Sequence, residues 1–224
     1  ENTIGSLDKA SLGTAICEGV LTNLFTNPMF GANTWNTGWT AGSNLVVSQN
    51  TDKEFVVFGL NSAKITSRNP GSSTYTQSLT LAVSTHFLYA IVALPDGSAP
   101  TSSDVSIVYN GTAQTTTFSR LGNSKFYYAQ ASVTGTGGAA TCGIFISKGK
   151  TIYLCYSDAK AKSYWTFPVY GDMLGCAWSG AAHASASTNA AGRIRTTVAL
   201  DTFNLAEGTI RLSVKTMFAN TFAA

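Results

Sequence analysis

The sequence predicts an all-β protein: a jelly-roll β-sandwich with an N-terminal arm and C-terminal strands. Between residues 44 and 157, short runs rich in β-branched and aromatic residues alternate with clusters of Gly, Pro, Asn and Asp. Strands at a spacing of roughly 8–12 residues with turns between them are typical of sandwiches and jelly rolls. Charged residues make up 11% of the 224 residues and hydrophobic residues 44%, which indicates a folded chain with a large core.

The pattern divides the chain into three parts. Residues 1–22 form an arm with an apolar residue at every fourth position from Leu12 to Val20, the spacing of a short amphipathic helix. Residues 23–172 form the sandwich. Residues 173–224 form a linker, rich in small residues that cannot fill a core, followed by strands for assembly.

Within the sandwich, strands are predicted from apolar alternation and from the turns that bound them. Residues 87–94 are continuously apolar, which is typical of a strand buried on both faces, and Pro95-Asp96-Gly97 ends this run. Asn110-Gly111 favours a tight hairpin. The segments predicted to be strands are 44–48, 54–60, 62–67, 74–81, 87–94, 105–109, 114–118, 125–134, 142–147 and 151–157.

Four cysteines occur without the spacing of a metal site. Residues 144–156 are predicted to form a hairpin around Lys148-Gly149, which places Cys142 directly opposite Cys155. Facing residues of an antiparallel pair have Cα atoms about 4.5–5.5 Å apart, within the range of a disulfide. The sequence therefore allows a cross-strand disulfide in an oxidising compartment, or two buried thiols in a cytoplasm.

The C-terminal strands are predicted to associate with another chain. Ile210, Leu212 and Val214 alternate with polar residues, as in a strand with one buried face. Left exposed, this apolar face would be an aggregation-prone edge. The expected cover is another copy of the chain, another protein of the same assembly, or a part of the polypeptide beyond this sequence.

Several functional classes are disfavoured by the sequence. The formal net charge of +3 is small and no run of Lys or Arg concentrates it, so nucleic acid is not an expected partner. No stretch of about 18 apolar residues predicts a membrane span. There are two histidines, His86 and His183, and no hydrolase, metalloprotease or phosphate-loop motif. We therefore expect a protein that is not an enzyme and has no catalytic cofactor.

Aromatic side chains on a strand face or loop rim could bind sugar rings by stacking, with Asn, Gln and Asp fixing the hydroxyls. Because side chains alternate along a strand, half of any aromatic set faces the core, and Trp39 and Phe126 are assigned to it. Tyr127 faces opposite Phe126 and Tyr128, so the solvent-exposed side of that strand offers the platform. The residues predicted to bind glycan are Trp35, Tyr75, Tyr109, Tyr127 and Trp165.

Four motifs occur in order along the sandwich. They are Asn23-Leu24-Phe25-Thr26-Asn27-Pro28 with Phe30 and Thr37-Gly38-Trp39-Thr40, then Gly59 to Ile65, Tyr75 to Leu79 and Phe87 to Ile91. In this order they resemble the carbohydrate-binding-module-like jelly rolls, which implies such a module over about residues 23–172. The resemblance also implies a structural calcium ion. The acid that usually follows the Asn-Pro strand is replaced by Gly31, which leaves Asp172 and backbone carbonyls as candidate ligands.

A further set of motifs follows the sandwich: Tyr170-Gly171-Asp172, Gly175 to Gly180, His183 to Ser187, and Glu207-Gly208-Thr209-Ile210. It resembles a segment of minor tail proteins of tailed bacteriophages that links a jelly roll to a laminin-G or concanavalin-like domain. The resemblance implies a structural virion protein of the tail, fibre or capsid surface, assembled in the host cytoplasm with copies of itself or other virion proteins and contacting cell-surface glycans. The alternative is a carbohydrate-binding module of a secreted, extracellular hydrolase or adhesin.

Overall fold

The computed structural model describes residues 20–31, 35–58, 61–68, 71–164, 166, 168–173 and 176–189. No helix in these ranges is long and apolar enough to cross a membrane. The strands in this part of the chain are β1 (Leu21–Asn23), β2 (Thr40–Ala41), β3 (Leu45–Asn50), β4 (Ser62–Ser67), β5 (Ser73–Thr80), β6 (Thr85–Ala93), β7 (Val105–Tyr109), β8 (Thr112–Ala113), β9 (Thr117–Arg120), β10 (Tyr127–Thr134), β11 (Ala139–Ile146), β12 (Thr151–Lys160), β13 (Cys176–Trp178) and β14 (Ser187–Asn189).

Two antiparallel sheets form the sandwich. The six-stranded sheet has the order β3-β4-β12-β6-β10-β9, and the five-stranded sheet has the order β2-β5-β11-β7-β8. The chain crosses repeatedly from one sheet to the other, so strands that are distant in sequence become neighbours, such as β4 with β12 and β5 with β11. Greek keys wrapped in this way make a jelly roll, and the predicted jelly-roll sandwich is therefore confirmed.

The main core lies between the two sheets. Ile65 of β4, Val92 of β6, Ile144 of β11 and Leu154 of β12 are fully buried there. Because side chains alternate along a strand, these residues set the inner face of each sheet, and their sequence neighbours set the outer face.

The described residues of the segment before β2 pack onto the main core. Trp39 is buried, and its ring stacks on those of Phe25 and Tyr75 at centroid distances of 5.2 and 4.8 Å. The side chain of Gln77 holds the same segment, because its Oε1 accepts from the Thr26 N–H at 3.0 Å and its Nε2 donates to the Thr26 carbonyl at 2.6 Å. The opening segment therefore packs as part of the core, as predicted for Trp39.

A β-bulge changes which side chains of β12 face outwards. The register of β12 against β6 shifts between Leu154 and Tyr156. A bulge adds one residue to one strand, so the alternation changes phase at that point. Leu154 and Ala159 therefore pack in the inner core, whereas Tyr156 packs with the cluster on the outside of the six-stranded sheet.

The first strand pairs with the last strands that the structure describes. β1, β14 and β13 form a three-stranded antiparallel sheet in which Leu21 lies opposite Asn189. The Leu21 N–H donates to the Asn189 side-chain oxygen at 2.8 Å. Part of the predicted small-residue linker thus forms a hairpin beside β1. The predicted division of the chain at residue 172 stays a prediction.

The predicted hairpin around Lys148-Gly149 is wrong. β11 pairs with β5 and β7 in the five-stranded sheet, whereas both sides of β12 are occupied by β4 and β6 in the other sheet. Residues 147–150 therefore connect one sheet to the other. Cys142 lies in the inner core and Cys155 on the outside of the six-stranded sheet, and both are buried free thiols. This placement contradicts the cross-strand disulfide and agrees with the alternative of two buried thiols.

Several predicted features lie outside the described residues. These are the arm up to residue 19 and the C-terminal strands, together with the residues Leu12, Ile16, Trp165, Ile210, Leu212 and Val214. Val20, at the end of the predicted stripe, is 64% exposed.

Candidate functional site

A second apolar cluster lies on the outer face of the six-stranded sheet, and we call this surface the aromatic face. Its buried members are Met29, Phe55, Tyr89, Ile91, Ala93, Phe126, Tyr153, Cys155 and Tyr156, and the partly buried rings beside them are Phe58, Phe87, Tyr128 and Tyr170. The outer face of an antiparallel sheet is commonly solvated and polar. A concentration of rings at this place therefore marks it as the candidate site.

One half of the aromatic face is covered by the loop between β3 and β4. A turn of 3₁₀ helix, Lys53–Phe55, places the Phe55 ring on that of Tyr153 at a centroid distance of 3.8 Å and an interplanar angle of 10°. Further along the loop, the Phe58 ring meets the Tyr156 ring edge-on at 5.7 Å. The loop was predicted as a strand at 54–60, but Phe55 and Phe58 pack onto the sheet instead of joining it as a strand.

The other half is formed by β6, β10 and β9, and we call it the open half because two of its rings keep partial exposure. Phe87 and Tyr128 are partly exposed and lie beside the buried ring of Tyr89, whose centroid is 6.3 Å from that of Phe87 and 5.8 Å from that of Tyr128. Burial raises the pKa of Tyr128 to about 12.

Uncharged polar side chains border the open half. Gln130 lies directly opposite Tyr89, and Ser132 lies opposite Phe87. The polar residues of β9 and β10 that share this face are Thr117, Ser119, Gln130 and Ser132. Flat rings with neighbouring amide and hydroxyl groups suit a neutral ligand that carries many hydroxyls.

A buried ion pair lies beside these rings on the same face, because Asp158 is opposite Tyr89 and Lys160 is opposite Phe87. The Lys160 Nζ is 2.8 Å from the Asp158 Oδ2, and the two side chains are 2% and 0% exposed. The hydroxyls of Tyr89 and Tyr156 donate to the same oxygen at 3.0 and 2.5 Å, and Nζ also donates to the Thr166 hydroxyl at 2.9 Å. Burial raises the pKa of Asp158, although the Lys160 ammonium and the two hydroxyls act in the opposite direction. The network fixes the positions of two rings of the aromatic face.

The structure places four of the predicted glycan-binding residues in or against the inner core. Tyr75 is 1% exposed in the inner core, so it has no ring face to offer a ligand. Trp35, Tyr109 and Tyr127 are partly buried and pack against that core. Trp165 lies outside the described residues. The partly exposed rings Phe87 and Tyr128 are not among the predicted residues, although the opposition of Tyr127 and Tyr128 along β10 was a sequence signal for Tyr128.

Asp172, the candidate calcium ligand, holds two side chains instead. Its Oδ1 accepts from the Trp178 indole N–H at 2.9 Å, and its Oδ2 lies 3.2 Å from the His183 Nε2. The His183 ring lies against Gly31, where an added Cβ would come within 2.7 Å of the imidazole. In the described residues no group of three or more His, Cys, Asp or Glu could hold a metal ion. The residues present therefore do not fit the calcium site that the resemblance implied.

No protein-family model matches the chain, and neither does any curated protein. Among solved structures, the CBM22-1 xylan-binding domain of Paenibacillus barcinonensis Xyn10C is 18% identical, with 64% of this chain and 95% of that one covered and a TM-score of 0.40. TmCBM61 in complex with β-1,4-galactotriose is 10% identical, with 62% and 99% covered and a TM-score of 0.39.

A third similar structure is the enzymatically active domain of tailspike protein 4 from bacteriophage CBA120. It is 12% identical, with 61% of this chain and 21% of that one covered and a TM-score of 0.40. Carbohydrate-binding modules and a phage tailspike thus both occur among the structural neighbours. These likenesses are remote, and the jelly-roll assignment rests on the strand order and register of the chain itself.

Proposed function

We propose that this chain is a glycan-binding domain that holds a neutral carbohydrate on the open half of the aromatic face. The observation that carries the proposal is the pair of partly exposed rings, Phe87 and Tyr128, beside Tyr89 and bordered by Gln130 and Ser132. Aromatic rings can stack on the apolar faces of sugar rings, while amides and hydroxyls bond the sugar hydroxyls. The chain would act by binding alone, without catalysis.

The setting of this activity has two candidates. A module of a secreted hydrolase or adhesin is expected to be an extracellular monomer. A tail, fibre or capsid-surface protein is expected to form a defined oligomer in the virion. One observation supports the second candidate, because residues of the phage-like motif pack against one another. The Trp178 ring lies directly over Gly171, and its centroid is 4.8 Å from that of the His183 ring. Light scattering on the full chain separates a monomer from a defined oligomer.

The binding test uses the full chain on a microarray of neutral oligosaccharides that includes xylan and β-1,4-galactan fragments, the glycans named for two neighbours. We expect binding to at least one neutral glycan, and its loss when Phe87 and Tyr128 are both replaced by Ala. Replacing Phe145, a partly buried ring on β11 of the other sheet, is the matched control. Binding that survives the double replacement, or no binding by the unaltered chain, would reject the proposal.

A further inference from the structure

We propose that Phe55 limits the length of the oligosaccharide that the site can bind. Its ring is stacked on Tyr153, where a sugar ring could otherwise stack, and it covers the part of the aromatic face nearest β4. This inference rests on the proposed glycan-binding function. It makes Phe55 a specificity-determining residue that restricts the ligand to the open half of the face.

The contact between the two rings is close and nearly parallel. Their centroids are 3.8 Å apart with planes inclined by 10°, and Phe55 and Tyr153 are only 7% and 8% exposed. Aromatic pairs in proteins usually prefer offset or edge-to-face packing with centroids about 4.5–7 Å apart. The Tyr153 ring thus offers a flat surface for stacking, and the Phe55 ring of the same chain covers it.

Only the Phe55 ring anchors the 3₁₀ turn deeply. Asp52, Lys53 and Glu54 are exposed. Their side chains take part in a cap, in which the Asp52 Oδ1 accepts from the Glu54 N–H at 3.0 Å, and in an ion pair between Glu54 and Lys125. The Lys125 Nζ also lies 4.0 Å from the centroid of the Phe55 ring. Exposed ion pairs contribute little to stability, so the turn depends mainly on the burial of the Phe55 ring.

Tyr153, Phe87 and Tyr128 belong to one surface. Tyr153 lies opposite Ala93 of β6, and Tyr128 lies opposite Ile91 of the same strand. Tyr153 and Tyr128 are therefore separated by two strand spacings across the sheet and by two residues along it. Standard spacings put their Cα atoms about 12 Å apart. Without the Phe55 ring, Tyr153 would extend the platform from β10 across to β12.

The experiment compares the dependence of affinity on oligosaccharide length. The probes are xylan and β-1,4-galactan fragments of two to six sugar units, measured by calorimetry on the unaltered chain, Phe55→Ala, and Phe55→Ala with Tyr153→Ala. We expect the affinity of the unaltered chain to level off at short lengths. Phe55→Ala should continue to gain up to six units, by tenfold or more, and the additional loss of Tyr153 should remove that gain.

A second readout needs no ligand. Nitration by tetranitromethane, mapped by mass spectrometry, should modify Tyr153 at least tenfold faster in Phe55→Ala than in the unaltered chain. Should Phe55→Ala fail to fold, Lys125→Met removes the cation and the ion pair while keeping the ring, and it should raise Tyr153 nitration to a smaller extent.

The outcomes separate the two proposals. Glycan binding with the same length dependence in the unaltered chain and Phe55→Ala overturns this inference and leaves the proposed function standing. Equal nitration of Tyr153 in the folded variants also overturns it. The absence of binding by every protein to every probe rejects the proposed function, while nitration still reports whether Phe55 covers Tyr153.

Discussion

The two outer faces of the sandwich differ in kind. On the five-stranded sheet, the outward positions of β5 and β11 carry mainly small polar side chains, including Thr74, Ser78, Thr80 and Thr141. On the six-stranded sheet, the corresponding surface carries a cluster of rings, half of it under a loop. A sandwich needs only one apolar face per sheet to build its core. The aromatic face is therefore more than the fold requires, which is why we assign the function to it.

The two faces also differ in their buried charges. Asp158 and Lys160 are buried as an ion pair on the aromatic face. A buried pair is weak evidence for stability, because its desolvation cost can exceed the Coulombic gain. Here the carboxylate accepts hydrogen bonds from Tyr89 and Tyr156, so the pair orients rings of the candidate site. The ion pair thus holds the hydroxyl ends of two rings of the aromatic face, which suits the proposed binding surface.

The largest effect is expected for Asp158→Ala. Removing the carboxylate leaves the Lys160 ammonium buried without its counter-ion, which should lower the free energy of unfolding by about 3–5 kcal/mol. Replacing Asp158 by Leu and Lys160 by Met together should cost far less. Thr141→Ala, on the other outer face, should change stability by no more than about 0.5 kcal/mol. Urea denaturation measures all three, and similar losses for Asp158→Ala and Thr141→Ala would break the comparison.

An intermediate effect is expected for Tyr128→Ala. The loss of one stacking ring should weaken binding to the glycan identified on the array by about tenfold, or ~1.4 kcal/mol. Phe145→Ala removes a ring from the opposite outer face and should leave affinity unchanged. Calorimetry measures the glycan affinity of both variants. Equal losses of affinity would mean that the aromatic face is not the specific binding surface.

The smallest effect concerns how two acids respond to pH. Burial would raise the pKa of Asp104, but hydrogen bonds from Lys150 and Thr101 bring it below its ordinary value, whereas the pKa of Asp158 is raised. A lowered folded-state pKa contributes stability above the unfolded-state pKa, and this stability is lost as pH falls through the folded value. A raised pKa acts in the opposite direction, because ionisation of the buried acid then costs stability as pH rises.

Asp104→Asn should therefore flatten the loss of stability below about pH 4, where carboxylates titrate. The check is the urea midpoint measured from acidic to neutral pH for this variant and the unaltered chain. Asp52→Asn is the control, because this acid is exposed and an Asn side chain can still accept from the Glu54 N–H. A steeper acid transition in Asp104→Asn would contradict the assignment.

Much of the fold could be predicted from local patterns. The predicted segments 62–67 and 105–109 coincide with β4 and β7, and Asn110 and Gly111 adopt positive φ values of 50° and 75° in the hairpin between β7 and β8. The predicted strand at 54–60 is an exception. Phe55 has the strand-like surroundings that predicted 54–60, yet it lies in a 3₁₀ turn because its ring packs onto a sheet made by other parts of the chain.

By itself, the sequence determined the order of strands and turns and the burial of anchors such as Trp39, because alternation and turn chemistry are local properties. Only the tertiary structure decided that Tyr128 and not Tyr127 faces outwards, and that Cys142 and Cys155 lie in different sheets. It also decided that Asp158 meets Tyr89, 69 residues away. These outcomes depend on which distant strands pair and on one bulge in β12, and a period-two pattern does not specify either.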